Sequence, residues 1–219
     1  MQSTVFRPKI MVKKKLLIFP YNGNGIEALD CIDNSVYEFI GFIDDDDSKV
    51  NCPNPFPVFK RNILDILKDV YVLAVPGSPT SYLQREEHIQ SLSIGNSRLV
   101  SIVHPKASIG MNVKLGFNCL VMSGVVITSN AVIGNHVCIL PNTVIHHDVI
   151  VNDYTLIGSN VVIAGGSFVG KNCYIGSGTN ILNGITIGNY SIVGLGTNLI
   201  RNLGDNSKVV GNPGRIIDK

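Results

Sequence analysis

Two histidines and an acid stand side by side in the run Ile145-His146-His147-Asp148-Val149. A histidine beside a carboxylate is the smallest unit that works as an oriented general base, because the carboxylate fixes the imidazole tautomer and favours the imidazolium that forms on taking a proton. Two further runs have the chemistry of a small-molecule contact. Asn22-Gly23-Asn24 follows an apolar stretch and resembles a partial glycine-rich turn, and Asp44-Asp45 opens an acidic run after Gly41-Phe42-Ile43.

The elements that must position these residues are set by a repeat. Starting at Ile109, every sixth residue to Leu199 is aliphatic. Two residues ahead of each stands a small or β-branched residue, as at Thr143, Val149, Thr155 and Val161. The residue after the aliphatic one is often glycine, as at Gly134, Gly158, Gly176 and Gly194, which suits a corner with a demanding backbone conformation. A period of six is no helix period and is a multiple of the strand period of two, so each hexad is a short strand plus a corner. Three hexads close one triangular coil, and stacked coils put the aliphatic residues in an internal column. His146 and His147 directly follow the column residue Ile145, so they fall at a corner.

The first hundred residues follow a different plan. Strands are expected over 16–20, 37–43, 70–75 and 98–103, with helical stretches over 26–31, 61–67 and 81–92. Strands alternating with helices imply a small Rossmann-like parallel sheet that binds ligands at its strand ends. His104-Pro105 is a natural boundary, giving an α/β unit over 1–103 and a coil unit with a C-terminal cap over 104–219.

Composition narrows the function classes. The 219 residues are 45% apolar, enough for a packed core, and 18 Lys and Arg against 16 Asp and Glu give a net charge of +2 without a basic cluster for nucleic acid. Lys13-Lys14-Lys15 precedes an apolar stretch too short for a signal peptide, and no segment approaches a membrane span, so a soluble cytoplasmic protein is expected. Cys31, Cys52, Cys119, Cys138 and Cys173 are scattered without C-x-x-C spacing, implying neither disulfides nor zinc.

The repeat resembles the hexapeptide-repeat acyltransferases over roughly residues 103 to 199, and that resemblance implies a left-handed parallel β-helix. An α/β unit joined through an Ile-x-His-Pro segment is further similar to the sugar acyltransferases, which include bacillosamine-pathway and perosamine N-acetyltransferases and sialic acid O-acetyltransferases. That family carries its base in an aliphatic-x-His-Asp/Glu segment. The resemblance therefore implies His147 as base and Asp148 as its partner, with Asn152 where the family usually has glycine. It implies direct attack of a sugar amine on acetyl-CoA, with a UDP-linked 4-amino-6-deoxy sugar as the first expectation. It places Gly165, in Ala164-Gly165-Gly166, against the acetyl group, Gly194 along the pantetheine arm and Arg215 near the nucleotide end of CoA. Leu156 stands in the slot of the family's second histidine beside the acetyl group. Asn22, Gly23, Asn24, Asp44 and Asp45 are implied to contact the nucleotide-sugar. A homotrimer with sites between neighbouring coils, no required metal, and a role in surface-glycan synthesis follow from the same resemblance.

Other readings stay open at this point. O-acetylation of a sugar or sialic acid, or N-acetylation of a GDP- or dTDP-linked amino sugar, would use the same residues. A γ-type carbonic anhydrase would need three histidine ligands, and His136, His146 and His147 lack that family's spacing. A purely structural coil would leave the His-Asp pair unexplained.

Overall fold

The structure is a computed structural model describing residues 12–50 and 55–217. The α/β unit is a parallel sheet of β1 (Lys14–Phe19), β2 (Tyr37–Ile43), β3 (Val58–Phe59) and β4 (Tyr71–Ala74), in the order β3-β2-β1-β4. Its helices are short: α1 (Gly23–Glu27), α2 (Asp47–Val50), α3 (Ile63–Ile66) and α4 (Arg85–Gln90). The central strand β1 is apolar on both faces, with Leu16, Leu17 and Ile18 fully buried, as a strand covered from both sides must be. The two residues of β3 pair with Phe42 and Ile43 and are not among the expected strands, because a two-residue strand leaves no alternation to read.

From Ile102 onward two-residue strands recur every six residues and form three parallel sheets along three faces of a coil of eighteen residues, seen in pairings such as Val144 with Val162. The first face holds Leu120–Val121, Cys138–Ile139 and Leu156–Ile157. The second holds Val126–Ile127, Val144–Ile145 and Val162–Ile163, and the third Val132–Ile133, Ile150–Val151 and Phe168–Val169. In each pair the second residue points inward. From Val121 to Leu199 these column residues are at most 2% exposed, while Ile109, on the open first coil, is 43% exposed. Hydroxyls of the preceding inward register are satisfied by the next corner at Thr143, whose Oγ1 donates to the Gly158 carbonyl at 2.7 Å, and at Thr155, whose Oγ1 donates to that of Gly170 at 2.9 Å.

The glycines after the column residues serve a different purpose from the one expected. All have φ outside the left-handed region; what they answer is the close approach of the next coil. A Cβ on Gly158 would lie 2.5 Å from the backbone nitrogen of Ser177. Left-handed backbone falls two residues later, at Asn112, Asn118, Asn130, His136, Asn142, Asp148, Tyr154, Asn160 and Asn172, all with φ of 54 to 62° or, at Asn130, 64°.

The first coil face carries the α/β unit. Leu120, Cys138 and Leu156 point outward from it into one cluster with Leu16, Ile18, Phe42 and Leu73, and each large side chain so buried contributes roughly 1.5 to 3 kcal/mol. The strand expected over 98–103 is two pieces: Leu99 bridges to Val72 in the α/β sheet, and Ile102–Val103 pairs with Leu120–Val121 as part of the coil face. Cys31, Cys119, Cys138 and Cys173 are buried and unbridged, with burial pushing Cys31 up to about 12 and the others to about 11; Cys52 lies outside the described residues. No helix among the described residues is long and apolar enough to cross a membrane.

Candidate active site

His147 and Asp148 stand at the corner between the second and third coil faces, the corner opposite the face that carries the α/β unit. Asp148 occupies the left-handed position of its corner, with φ of 60°. Its Oδ2 lies 2.8 Å from Nδ1 of His147, and its Oδ1 accepts from Asn130 Nδ2 at 3.0 Å. Asn130 sits one coil earlier at the same corner and in turn accepts from Asn112 Nδ2 at 3.2 Å. These hydrogen bonds hold the Asp148 carboxyl below its usual range, first through His147 and then through Asn130. A carboxylate accepts only, so Nδ1 carries a proton, and in the neutral ring the lone pair is on Nε2.

The Nε2 edge of the ring lies close to the next coil. A Cβ on Gly165 would lie 2.5 Å from Nε2 of His147, so the imidazole rests on the bare backbone of Gly165. Gly166 N donates to the His147 carbonyl at 3.0 Å, locking the two coils in register, while the Gly165 N–H has no partner among the described residues. With His147 61% exposed, the corner offers a general base and a free backbone donor side by side, which is the equipment of acyl transfer. The described residues hold no cluster of His, Cys, Asp or Glu able to take a metal ion.

The two faces that meet at this corner are apolar on the outside. Val126, Val144 and Val162 project from one, and Val132, Ile150 and Phe168 from the other. All are partly exposed, Ile150 to 40%.

The expected nucleotide-sugar residues gather elsewhere, at the carboxyl ends of β1 and β2. Asn22 caps α1, its Oδ1 accepting from Gly25 N at 2.8 Å, while Gly23 is open to solvent and Asn24 Nδ2 reaches the Gly77 carbonyl at 3.4 Å. Asp44 is 6% exposed and committed within the unit: it accepts from Tyr21 N at 3.1 Å and Asp46 N at 3.0 Å, and pairs with Lys49 at 2.8 Å. Asp45 is gripped by the Arg61 guanidinium, whose hydrogen bonds hold its carboxyl below the ordinary range. Leu156 belongs with this group. It is 2% exposed beneath the α/β unit, its Cδ1 3.4 Å from where a Gly77 Cβ would be, and not at the His147 corner.

Gly194 and Arg215 form a third group, at the far end of the first face. A Cβ on Gly194 would meet Val210 Cγ1 at 2.7 Å, and Val210 pairs with Arg215 in the closing antiparallel hairpin. Gly194 and Val210 line a mainly apolar cavity of about 410 Å³ with Tyr82, Leu83, Ile192 and Ile217. One chain thus assembles His147, Asp148 and Gly165, and separately the α/β cleft and the Gly194 end.

Sequence reasoning missed the corner that binds the α/β unit. Its left-handed residues reach out as hooks: Asn118 pairs with both the N–H and the carbonyl of Ala74 at 2.7 and 2.9 Å, Asn172 donates to the Leu83 carbonyl at 3.0 Å, and Tyr190 accepts from the Tyr82 hydroxyl at 3.1 Å. The fully buried Arg85 donates to the carbonyls of Pro76 and His136. The period-six run of Asn and Gly in this register was the available signal.

The model of the bacterial transferase hexapeptide, six repeats, matches residues 130–165, the two coils that contain His147 and Gly165. No curated protein matches the sequence. Among solved structures, a variant of perosamine N-acetyltransferase from Caulobacter crescentus, in complex with CoA and GDP-perosamine, is 22% identical with a TM-score of 0.81, over 97% of this chain and 100% of that one. The acetyltransferase domain of PglB from Neisseria gonorrhoeae FA1090, in complex with acetyl coenzyme A, is 22% identical with a TM-score of 0.82, over 94% and 100%. WeeI from Acinetobacter baumannii AYE is 21% identical with a TM-score of 0.76, over 94% and 100%. At this identity the likeness establishes the fold: a small parallel α/β sheet followed by a left-handed parallel β-helix of hexapeptide repeats.

Proposed function

We propose that this chain is an acetyl-CoA-dependent N-acetyltransferase whose acceptor is a nucleotide-linked 4-amino-6-deoxy sugar, UDP-linked in the first instance. The observation that carries this reading is the His147 corner: Nδ1–H held at 2.8 Å by Asp148, and Nε2 set against the bare backbone of Gly165. In the proposed step the sugar amine attacks the acetyl carbonyl as His147 Nε2 takes its proton. The Gly165 N–H donates to the oxyanion, and collapse breaks the C–S bond, the imidazolium returning the proton to the departing CoA thiolate. Gly194 and Arg215 are the proposed contacts for the CoA arm, and Asn22, Asn24 and the Asp44–Asp45 turn for the nucleotide-sugar.

Because the α/β cleft lies across the coil from His147, a second copy has to bring its cleft or its coil to this corner. The apolar outer rows on both faces beside His147 support such packing, and a homotrimer closes it with each coil using one face toward each neighbour. A GDP-linked amino sugar is the second reading, favoured by the fold likeness to a protein solved with CoA and GDP-perosamine.

The test is a thiol-release assay with acetyl-CoA against UDP-, dTDP- and GDP-linked 4-amino-6-deoxy sugars, for the wild type and His147→Ala. Turnover of one amino sugar that falls by roughly two orders of magnitude in the variant is expected. Absence of turnover on every amine, with turnover on hydroxyl acceptors, would replace N- by O-acetylation. Full activity in His147→Ala would remove His147 as base.

A further inference from the structure

We propose a second small-molecule site, for a hydroxyl-rich neutral compound such as a sugar ring or polyol, in the cleft between α4 and the coil corner that holds His136, Asp153 and Tyr154. The cavity is about 320 Å³, at the lower end of the range for ligand clefts, and is bordered by Gln90 and Asn96 from the α/β side and Asn135, His136, Asp153 and Tyr154 from the coils. It lies at a different corner from His147 and shares no residue with the proposed acetyl-transfer machinery.

The proton on His136 is placed by its neighbours. Asn118 is oriented unambiguously, since its Oδ1 accepts from Ala74 N and its Nδ2 donates to the Ala74 carbonyl. The second Nδ2 hydrogen therefore points at His136 Nδ1, 3.0 Å away, and that nitrogen must be the acceptor. His136 is then the neutral Nε2–H tautomer, a state that burial and the nearby Arg85 cation also favour by holding its pKa down at about 4. The ring is 4% exposed, stacked at 4.4 Å on Tyr154, and its Nε2–H has no partner among the described residues. That N–H is not sealed from solvent, and His136 lines the cleft, so it can donate to a group bound there.

Opposite in character is Asp153. Its Oδ1 accepts from Asn135 N at 2.7 Å and its Oδ2 from Asn135 Nδ2 at 3.3 Å, leaving further lone pairs, and no cationic side chain pairs with it among the described residues. A fixed donor and a carboxylate acceptor on the walls of one cleft suit a compound with several hydroxyls, one accepting from His136 and another donating to Asp153. The carboxylate disfavours an anion. A metal ion needs an imidazole lone pair, and Asn118 occupies one while the proton occupies the other.

The experiment follows the His136 Cε1–H resonance, assigned with His136→Gln, by ¹H–¹³C NMR of the whole chain while glycerol, myo-inositol and D-glucose are titrated to high millimolar concentration. A saturable shift with at least one of them is expected, weakened roughly tenfold or more in Asp153→Asn and retained in His147→Ala. The introduced amide oxygen would still accept from Asn135 N, so the corner is kept. Asn96→Ala, an exposed change on the other wall, should weaken the same shift without touching a coil. Absence of a saturable shift with all three compounds, equal affinity in both wall variants, or loss of the shift in His147→Ala would each overturn the proposal.

Discussion

The imidazole of His147 lies directly on Gly165, so closely that a Cβ there would stand 2.5 Å from Nε2 and 2.6 Å from Cε1. Gly165→Ala must turn the ring away, since the backbone beneath is pinned by the Gly166 N to His147 carbonyl bond at 3.0 Å. The expected result is a fall in kcat of roughly ten- to a hundredfold with a melting temperature close to that of the wild type, because the displaced ring is a surface group. Unchanged kcat in steady-state assays would show that Nε2 does not act from this position.

Asp148→Asn separates orientation from backbone strain. Asparagine takes the left-handed conformation at φ of 60° with ease, so the corner should fold normally. A neutral amide no longer favours the imidazolium and can present its N–H₂ to Nδ1, turning the tautomer the wrong way. A drop in kcat of roughly one to two orders with little change in acetyl-CoA KM is expected, read from paired substrate titrations.

The acid stability of the protein should report on His136. Its pKa falls from the ordinary 6.5 to about 4, first through burial and then through Arg85. The unfolded chain therefore binds a proton that the folded chain refuses between these values. Stability from this group is complete above about 6.5 and is lost as pH falls toward 4. Over that window His136→Gln should remove a slope of about 1.4 kcal/mol per pH unit, measured by urea unfolding at a series of pH values.

Asn118 and Asn142 share the left-handed conformation, at φ of 54 and 61°, but differ in what they hold. Asn118 is fully buried and clips the end of β4 to the coil through Ala74, whereas Asn142 is exposed and its side chain makes no hydrogen bond to the α/β unit among the described residues. Glycine preserves the backbone conformation at both. Asn118→Gly should cost roughly 2 to 4 kcal/mol by leaving Ala74 and His136 unpaired, and Asn142→Gly less than about 0.5 kcal/mol, by denaturant titration.

Ile150 is 40% exposed in the middle of the third face, between Val132 and Phe168. Under the proposed assembly, Ile150→Asp places a charge in a subunit contact. Sedimentation should then show a folded species of monomer mass, and acetyl transfer should fall with it because the α/β cleft and His147 are no longer brought together. An oligomer of unchanged mass would locate the contact on another face.

The coil is legible because its cause is periodic. An inward aliphatic residue must recur wherever the chain returns to the same side of a triangular cross-section, so the column from Val121 to Leu199 can be read directly, as can the corner position of His147. The glycine rows are visible in the sequence but their reason is not, since a close approach between Gly158 and Ser177 involves residues a whole coil apart. In the α/β unit the apolar strands β1, β2 and β4 are readable, while α1 begins at Gly23 on its Asn22 cap and β3 escapes notice, because short elements carry too few residues to show a period.

By itself the sequence determined the stacking of coils, the corner that carries His147 and Asp148, and the alternating α/β plan ahead of them, since each follows from local spacing. Only the tertiary structure decided which coil face the α/β unit covers. That choice buries Leu156 beneath Gly77 and gives His136 a fixed proton through Asn118 and Ala74, while the packing inside the α/β unit commits Asp44 to Tyr21 and Lys49. Most of these partners are tens of residues apart, and what joins them is the burial of apolar surface between the two units, a non-directional force that leaves no period in the sequence.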